Sequence, residues 1–203
     1  VLPGPELSAS EVAACRQILL AHAQPGSYWV LSGSLPPGTP DNFYADVARQ
    51  AQALHCHVIL DASGPPLKAA LAQGVTLFKP SLRELRDLTG LPLATESEWI
   101  AAAQQLVTQG QARLVALSLG EQGAVLVSAQ AVWRAQALPV PVRSTIGAGD
   151  SFVGGLVHAL NQHAASGLDD PRVLVEAFRW AMATSAAALL SLGTALAQPE
   201  DIQ

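Results

Sequence analysis

Apolar and polar positions follow two periods along this chain, and the periods take turns. Short apolar runs at Tyr28–Ser32 (YWVLS), His57–Asp61 (HVILD), Val75–Lys79 (VTLFK), Leu114–Ser118 and Ala124–Ser128 predict strands, the first two of them buried. Val132–Ala135 adds a weaker one. Helical spacing fills the intervals: Ser8–His22, read as amphipathic, then Asp41–Leu54, Pro66–Gln73, a segment from Ser81, and Thr95–Gln109. Two long helices follow, one from near Gly149 to Gln162 and one from Pro171 to about Leu190. Ser8 with Glu11 and Thr95 with Glu98 have the spacing of reciprocal helix caps, and Asp41 is the expected N-cap of its helix. Alternating buried strands and helices predict an α/β fold, a mostly parallel sheet with helices on both faces. Ligands then belong at the carboxyl ends of the strands.

Composition narrows the classes. Half of the 203 residues are hydrophobic and 13% are charged, against about 25% charged in ordinary domains. The formal charge is −5 and the lysines are Lys68 and Lys79, so a basic nucleic-acid face is not expected. The most apolar stretch, Ala181–Ala197, is broken by Thr184, Ser185, Ser191, Gly193 and Thr194, which predicts a core helix entering a turn and no membrane span. Cys15 and Cys56 are too few for a disulfide framework; buried free thiols and a cytoplasmic location are expected.

Five strand-end segments carry candidate chemistry. In Ser144-Thr-Ile-Gly-Ala-Gly-Asp-Ser-Phe152, Gly147, Ala148 and Gly149 open a helix whose free N–H groups suit an anion, and Asp150 is either a proton acceptor or a helix cap. Lys79-Pro-Ser-Leu-Arg-Glu84 is either a Mg²⁺-organising site through Glu84 or a capping box between Ser81 and Glu84. Ser118-Leu-Gly-Glu-Gln-Gly123 is either a loop that a nucleotide can approach or a plain hairpin. Ser32-Gly-Ser-Leu-Pro-Pro-Gly38 suits a rigid wall, and Asp61-Ala-Ser-Gly64 aims a carboxylate at the same rim or makes a turn. His55, Cys56 and His57 alternate in direction along an extended segment and do not converge, and Arg83 and Arg86 read as a solvated face. No Gly-x-Gly-x-x-Gly follows the first strand, which excludes a dinucleotide-binding dehydrogenase.

Taken in order, these segments resemble the PfkB branch of the ribokinase-like sugar kinases, and within it the phosphofructokinases. The resemblance implies transfer of the γ-phosphoryl group of ATP to a phosphorylated sugar, foremost fructose 6-phosphate, with 1-phosphofructokinase and tagatose-6-phosphate kinase chemistry as neighbours. It assigns the catalytic base to Asp150 and the anion hole to Gly147, Ala148 and Gly149. Nucleotide contacts fall to Lys79, Ser81, Ser118, Gly120, Gly123 and Ala187, and a water-mediated Mg²⁺ contact to Glu84. A K⁺ site falls to Ser144, Ile146, Ser191 and Gly193. Ser81, Ser144, Ser191 and Ala195 depart from the residues common in the family. The resemblance further implies that residues 1–203 are the ATP-binding, carboxyl-terminal part of one kinase domain. The first strands and a β lid, through which the full protein forms a homodimer, would then precede Val1. A non-catalytic nucleotide-binding or assembly module is the rival class.

Overall fold

The computed structural model describes residues 4–163, 168–191 and 201–202. The chain divides into two compact units, Val1–Ala116 and Leu117–Gln203.

The first unit alternates strand and helix as expected. It contains α1 (Ala9–Ala21), β1 (Tyr28–Ser32), α2 (Phe43–Ala53), β2 (His57–Asp61), α3 (Gly64–Leu71), β3 (Val75–Phe78), α4 (Leu82–Thr89) and α5 (Glu96–Thr108). The strand β4 (Ala112–Ser118) runs past its end. Neighbouring strands pair in parallel: Ser32 stands beside Asp61, Leu60 beside Phe78, and Phe78 beside Val115. That register brings the carboxyl ends of β1, β2 and β3 to one level. Val58, Ile59, Leu60, Phe78 and Val115 are fully buried, as strands covered on both faces require.

Local signals are honoured where their partners are near in sequence. Ser8 with Glu11, Ser81 with Glu84 and Thr95 with Glu98 all form complete capping boxes. Other expectations are corrected. In β1 only Leu31 is buried, because among the described residues the strand has a neighbour on one side alone. The helix α1 buries only Val12 and leaves Ile18 61% exposed, so its predicted apolar face is not covered. The N-cap of α2 is Asn42, not Asp41, and no side chain caps that end. Of the two thiols, Cys56 is buried but Cys15 is exposed. Arg86 is exposed as expected, and its guanidinium also donates to the carbonyls of Pro92 (2.8 Å) and Leu93 (2.9 Å) and ties down the turn after α4.

The second unit contains β5 (Ala124–Val127), β6 (Val132–Ala135), α6 (Ala148–Gln162) and α7 (Pro171–Leu190). β5 and β6 are antiparallel, with Leu126 opposite Trp133. α7 is long and apolar enough to span a membrane by length and composition, but half of its apolar window is buried. Much of that burial is against α6. The closest approach is at Gly155, where a Cβ would lie 2.3 Å from Thr184 Oγ1 and 2.7 Å from the Trp180 carbonyl oxygen. The Thr184 hydroxyl donates to the Ser151 carbonyl at 2.7 Å, so it cannot swing away without losing that bond. Gly155→Ala is therefore expected to cost about 1–3 kcal/mol as an overpacked contact, lowering the melting temperature by roughly 5–10 °C. A calorimetric melt checks this, and an unchanged transition would mean that the helices separate freely.

Candidate functional site

In the first unit, three parallel strands deliver polar residues to one rim. Ser32 ends β1, Asp61 ends β2, and Lys79 follows β3. Backbone bonds fix them: Gly33 N–H donates to the Asp61 carbonyl (2.9 Å) and Lys79 N–H to the Leu60 carbonyl (3.0 Å). The Tyr44 hydroxyl, carried by α2, donates to the Ser32 carbonyl at 2.9 Å and lies 3.3 Å from that of Gly33. Burial, and then the Asp61 charge, push the Tyr44 phenol above its ordinary pKa range. Lys79 is 7% exposed, and its Nζ meets Asp61 Oδ1 at 3.0 Å.

Next along the chain, Ser81 caps α4. Its N–H and hydroxyl both donate to Glu84 Oε2, at 2.7 and 2.9 Å. The capping-box reading of this pair is thus realised. It engages one carboxylate oxygen, and the other has acceptor capacity for a metal-bound water. Glu84 is half-buried and lines a cavity of about 330 Å³ together with Ser63, Gly64, Lys68 and Asp87.

In the second unit, Gly120–Gln122 form a single 3-10 turn, closed by Leu119 N–H on the Gly123 carbonyl at 2.8 Å. Ser118 is half-buried just before it. The Arg134 guanidinium donates to the carbonyls of Gln122 (2.6 Å), Ala124 (3.3 Å) and Ala135 and clamps the turn. Nothing in the local sequence marks Arg134 for that task, because the contact depends on its strand register opposite Val125.

The helix α6 begins on Gly147, which adopts a left-handed conformation (φ 80°) and offers no side-chain cap. The first helical bond runs from Ser151 N–H to the Gly147 carbonyl. The N–H groups of Ala148, Gly149 and Asp150 therefore point out of the helix end without helical acceptors. Asp150 lies in this first turn and is exposed. It is not the cap, which answers the alternative left open by the sequence. Ile146 N–H donates to Ser144 Oγ (3.2 Å), and Arg143 N–H to the Leu189 carbonyl (2.8 Å). Those bonds hold the segment of Ser144 and Ile146 against the end of α7, where Ser191 is the C-cap. Ala187 is 1% exposed, so its methyl lies in the core of its unit and not on a surface. Gly193 and Ala195 lie outside the described residues. A cavity of about 980 Å³ along α7 is lined by none of the sequence-predicted site residues.

The two units thus offer different chemistry. One presents a buried cation–carboxylate pair and a half-buried glutamate; the other presents a bare helix N-terminus with a carboxylate on its first turn. A bare helix end binds phosphate-like anions, and an exposed carboxylate beside it can accept a proton. The sequence reading placed Asp61 at the rim but found neither its partner nor Tyr44, since those contacts join residues far apart in the chain.

The profile described as pfkB family carbohydrate kinase matches residues 2–201. The chain is 37% identical over 203 residues to the ATP-dependent 6-phosphofructokinase isozyme 2 of Mycobacterium tuberculosis, covering 100% of this chain and 57% of that protein. It is 42% identical over 195 residues to the 1-phosphofructokinase of Rhodobacter capsulatus, covering 93% of this chain and 56% of that protein. The crystal structure of phosphofructokinase-2 from Escherichia coli in complex with potassium superposes with a TM-score of 0.90 at 36% identity, covering 99% of this chain and 62% of that one. The chain therefore spans little more than half the length of these two curated relatives.

Proposed function

The chain belongs to the pfkB family of carbohydrate kinases, and from that premise we propose that it supplies the nucleotide-handling part of an ATP-dependent sugar-phosphate kinase. The acceptor we assign is fructose 6-phosphate, giving fructose 1,6-bisphosphate. The observation that carries the reading is the start of α6: a helix end with no side-chain cap and an exposed Asp150 on its first turn.

In this reading Asp150 takes the proton from the sugar hydroxyl as the hydroxyl oxygen bonds to the γ-phosphorus. The bond from that phosphorus to the bridging oxygen breaks, and ADP leaves. The bare N–H groups around Gly147, Ala148 and Gly149 stabilise the negative charge that develops on the transferring group. We give nucleotide contacts to Lys79 and Ser81 in the first unit and to Ser118, Gly120 and Gly123 in the second, as the family resemblance implies. Glu84 would hold a water of Mg²⁺, and the ion would supply charge neutralisation on the polyphosphate. A K⁺ ion, as the potassium complex of the Escherichia coli protein suggests, would sit against backbone oxygens of Ser144 and Ile146. The fit is supported by the bonds that hold this segment against the end of α7.

A second acceptor reading has its own support, the 42% identity to a 1-phosphofructokinase. A coupled ADP-release assay with ATP as donor separates the readings. Fructose 6-phosphate is expected to be turned over in preference to fructose 1-phosphate and tagatose 6-phosphate. Preference for fructose 1-phosphate reassigns the acceptor. ATP binding without transfer to any of the three supports the non-catalytic module instead.

A further inference from the structure

We propose that Asp61 is a positioning residue for nucleotide binding, its carboxylate holding the buried Lys79 ammonium in place at the strand ends. The inference rests on the reading of Lys79 as a nucleotide contact. Lysine is almost never buried without a partner, because an unpaired ammonium loses its hydration and gains nothing. The chain has two lysines, and they differ sharply: Lys68 is exposed on α3, whereas Lys79 is 7% exposed. What compensates Lys79 is Asp61 Oδ1 at 3.0 Å, on a side chain that is itself only 14% exposed.

The geometry favours a presenting device over a stabilising one. A buried ion pair adds little to stability compared with a well-packed apolar pair. It does fix a long, flexible side chain in one place, which a free surface lysine cannot manage. Both ends of this pair are anchored through the backbone, Lys79 N–H on the Leu60 carbonyl and the Asp61 carbonyl under Gly33 N–H. Tyr44 closes the side by bonding the Ser32 and Gly33 carbonyls. An ammonium has three donors, so one can serve Asp61 while others reach a phosphate oxygen. The location fits as well, since open parallel sheets bind ligands at the carboxyl ends of their strands.

The test uses the whole 203-residue chain with nitrogen-labelled lysine. Two ammonium resonances are possible, and Lys68→Arg assigns them by elimination. In the wild-type chain the Lys79 signal should resist solvent exchange and move when MgATP is added. Asp61→Asn should expose that signal to exchange and weaken ATP binding about tenfold to a hundredfold, the worth of a charged hydrogen bond. Lys79→Met should weaken binding by a similar factor. Adding Asp61→Asn to Lys79→Met should weaken it no further, because Asp61 acts only through the lysine. The double variant carries no unpaired buried charge, so it keeps the comparison available if Asp61→Asn alone folds poorly. Two results overturn the proposal: a Lys79 signal still protected without Asp61, or an equal loss of affinity when Asp61→Asn is added to Lys79→Met. Wild-type ATP affinity in Lys79→Met, with the Lys79 signal still freed by Asp61→Asn, overturns instead the nucleotide reading on which the proposal rests.

Discussion

Replacing Asp150 with asparagine should lower kcat about a thousandfold while leaving ATP affinity nearly unchanged, because a positioned general base contributes roughly 10²–10⁴ in rate. Asparagine keeps the shape of the side chain but loses its negative charge and its ability to take up the proton. The structure makes the experiment clean. Asp150 is exposed and lies on the first turn of α6, whose N-cap is Gly147. No cap is lost on substitution. What disappears from the folded state is one negative charge near the positive end of the helix dipole, worth about 0.3–1 kcal/mol. Steady-state kinetics, ATP calorimetry and a thermal melt together check the expectation. Full turnover in Asp150→Asn would remove the carboxylate from the mechanism. A large fall in melting temperature would show that it carries structural weight after all.

How much of this was legible in the sequence depends on how far apart the partners are. The three capping boxes join residues three apart, and all three formed as their spacing indicated. Strand positions were readable because β2, β3 and β4 bury most of what they carry. β1 looked equally apolar and α1 amphipathic, yet most of their residues are not buried, since burial belongs to the neighbour as much as to the segment. The same limit applies at the site. The glycine loop and Asp150 are contiguous and were visible as a motif. The Asp61–Lys79 pair, the Tyr44 bonds and the Arg134 clamp are made between segments, and no local pattern announces them. Arg86 lies exposed as expected, but its bonds are hidden for the same reason: its acceptors are backbone carbonyls of the following turn, which any residue supplies.

Gly123 has a structural part in its own turn, separate from any contact with a nucleotide. The sequence leaves its loop as either one that a nucleotide can approach or a plain hairpin, and the family resemblance gives the glycine to the nucleotide. In the structure Gly123 is buried with φ 91° and ψ −131°, a conformation that residues with a Cβ scarcely enter. A Cβ there would also lie 2.1 Å from the Ala135 carbonyl oxygen and 2.7 Å from Ala137 N, both backbone atoms of its own unit. These neighbours cannot rotate away as a flexible side chain would. Strain of about 1–3 kcal/mol adds to an overpacking cost of similar size, so Gly123→Ala should destabilise the chain by about 3–5 kcal/mol. The melting temperature should fall by roughly 10–15 °C. Gly120 is the control within the same turn. Its φ is 59°, and nothing lies within 4 Å of a Cβ built there. Gly120→Asn should therefore melt close to the wild type, because asparagine tolerates left-handed backbone. If Gly123 served the nucleotide alone, Gly123→Ala would keep the wild-type melting temperature and lose only ATP affinity. That pattern would return the glycine to the binding site and remove it from the fold.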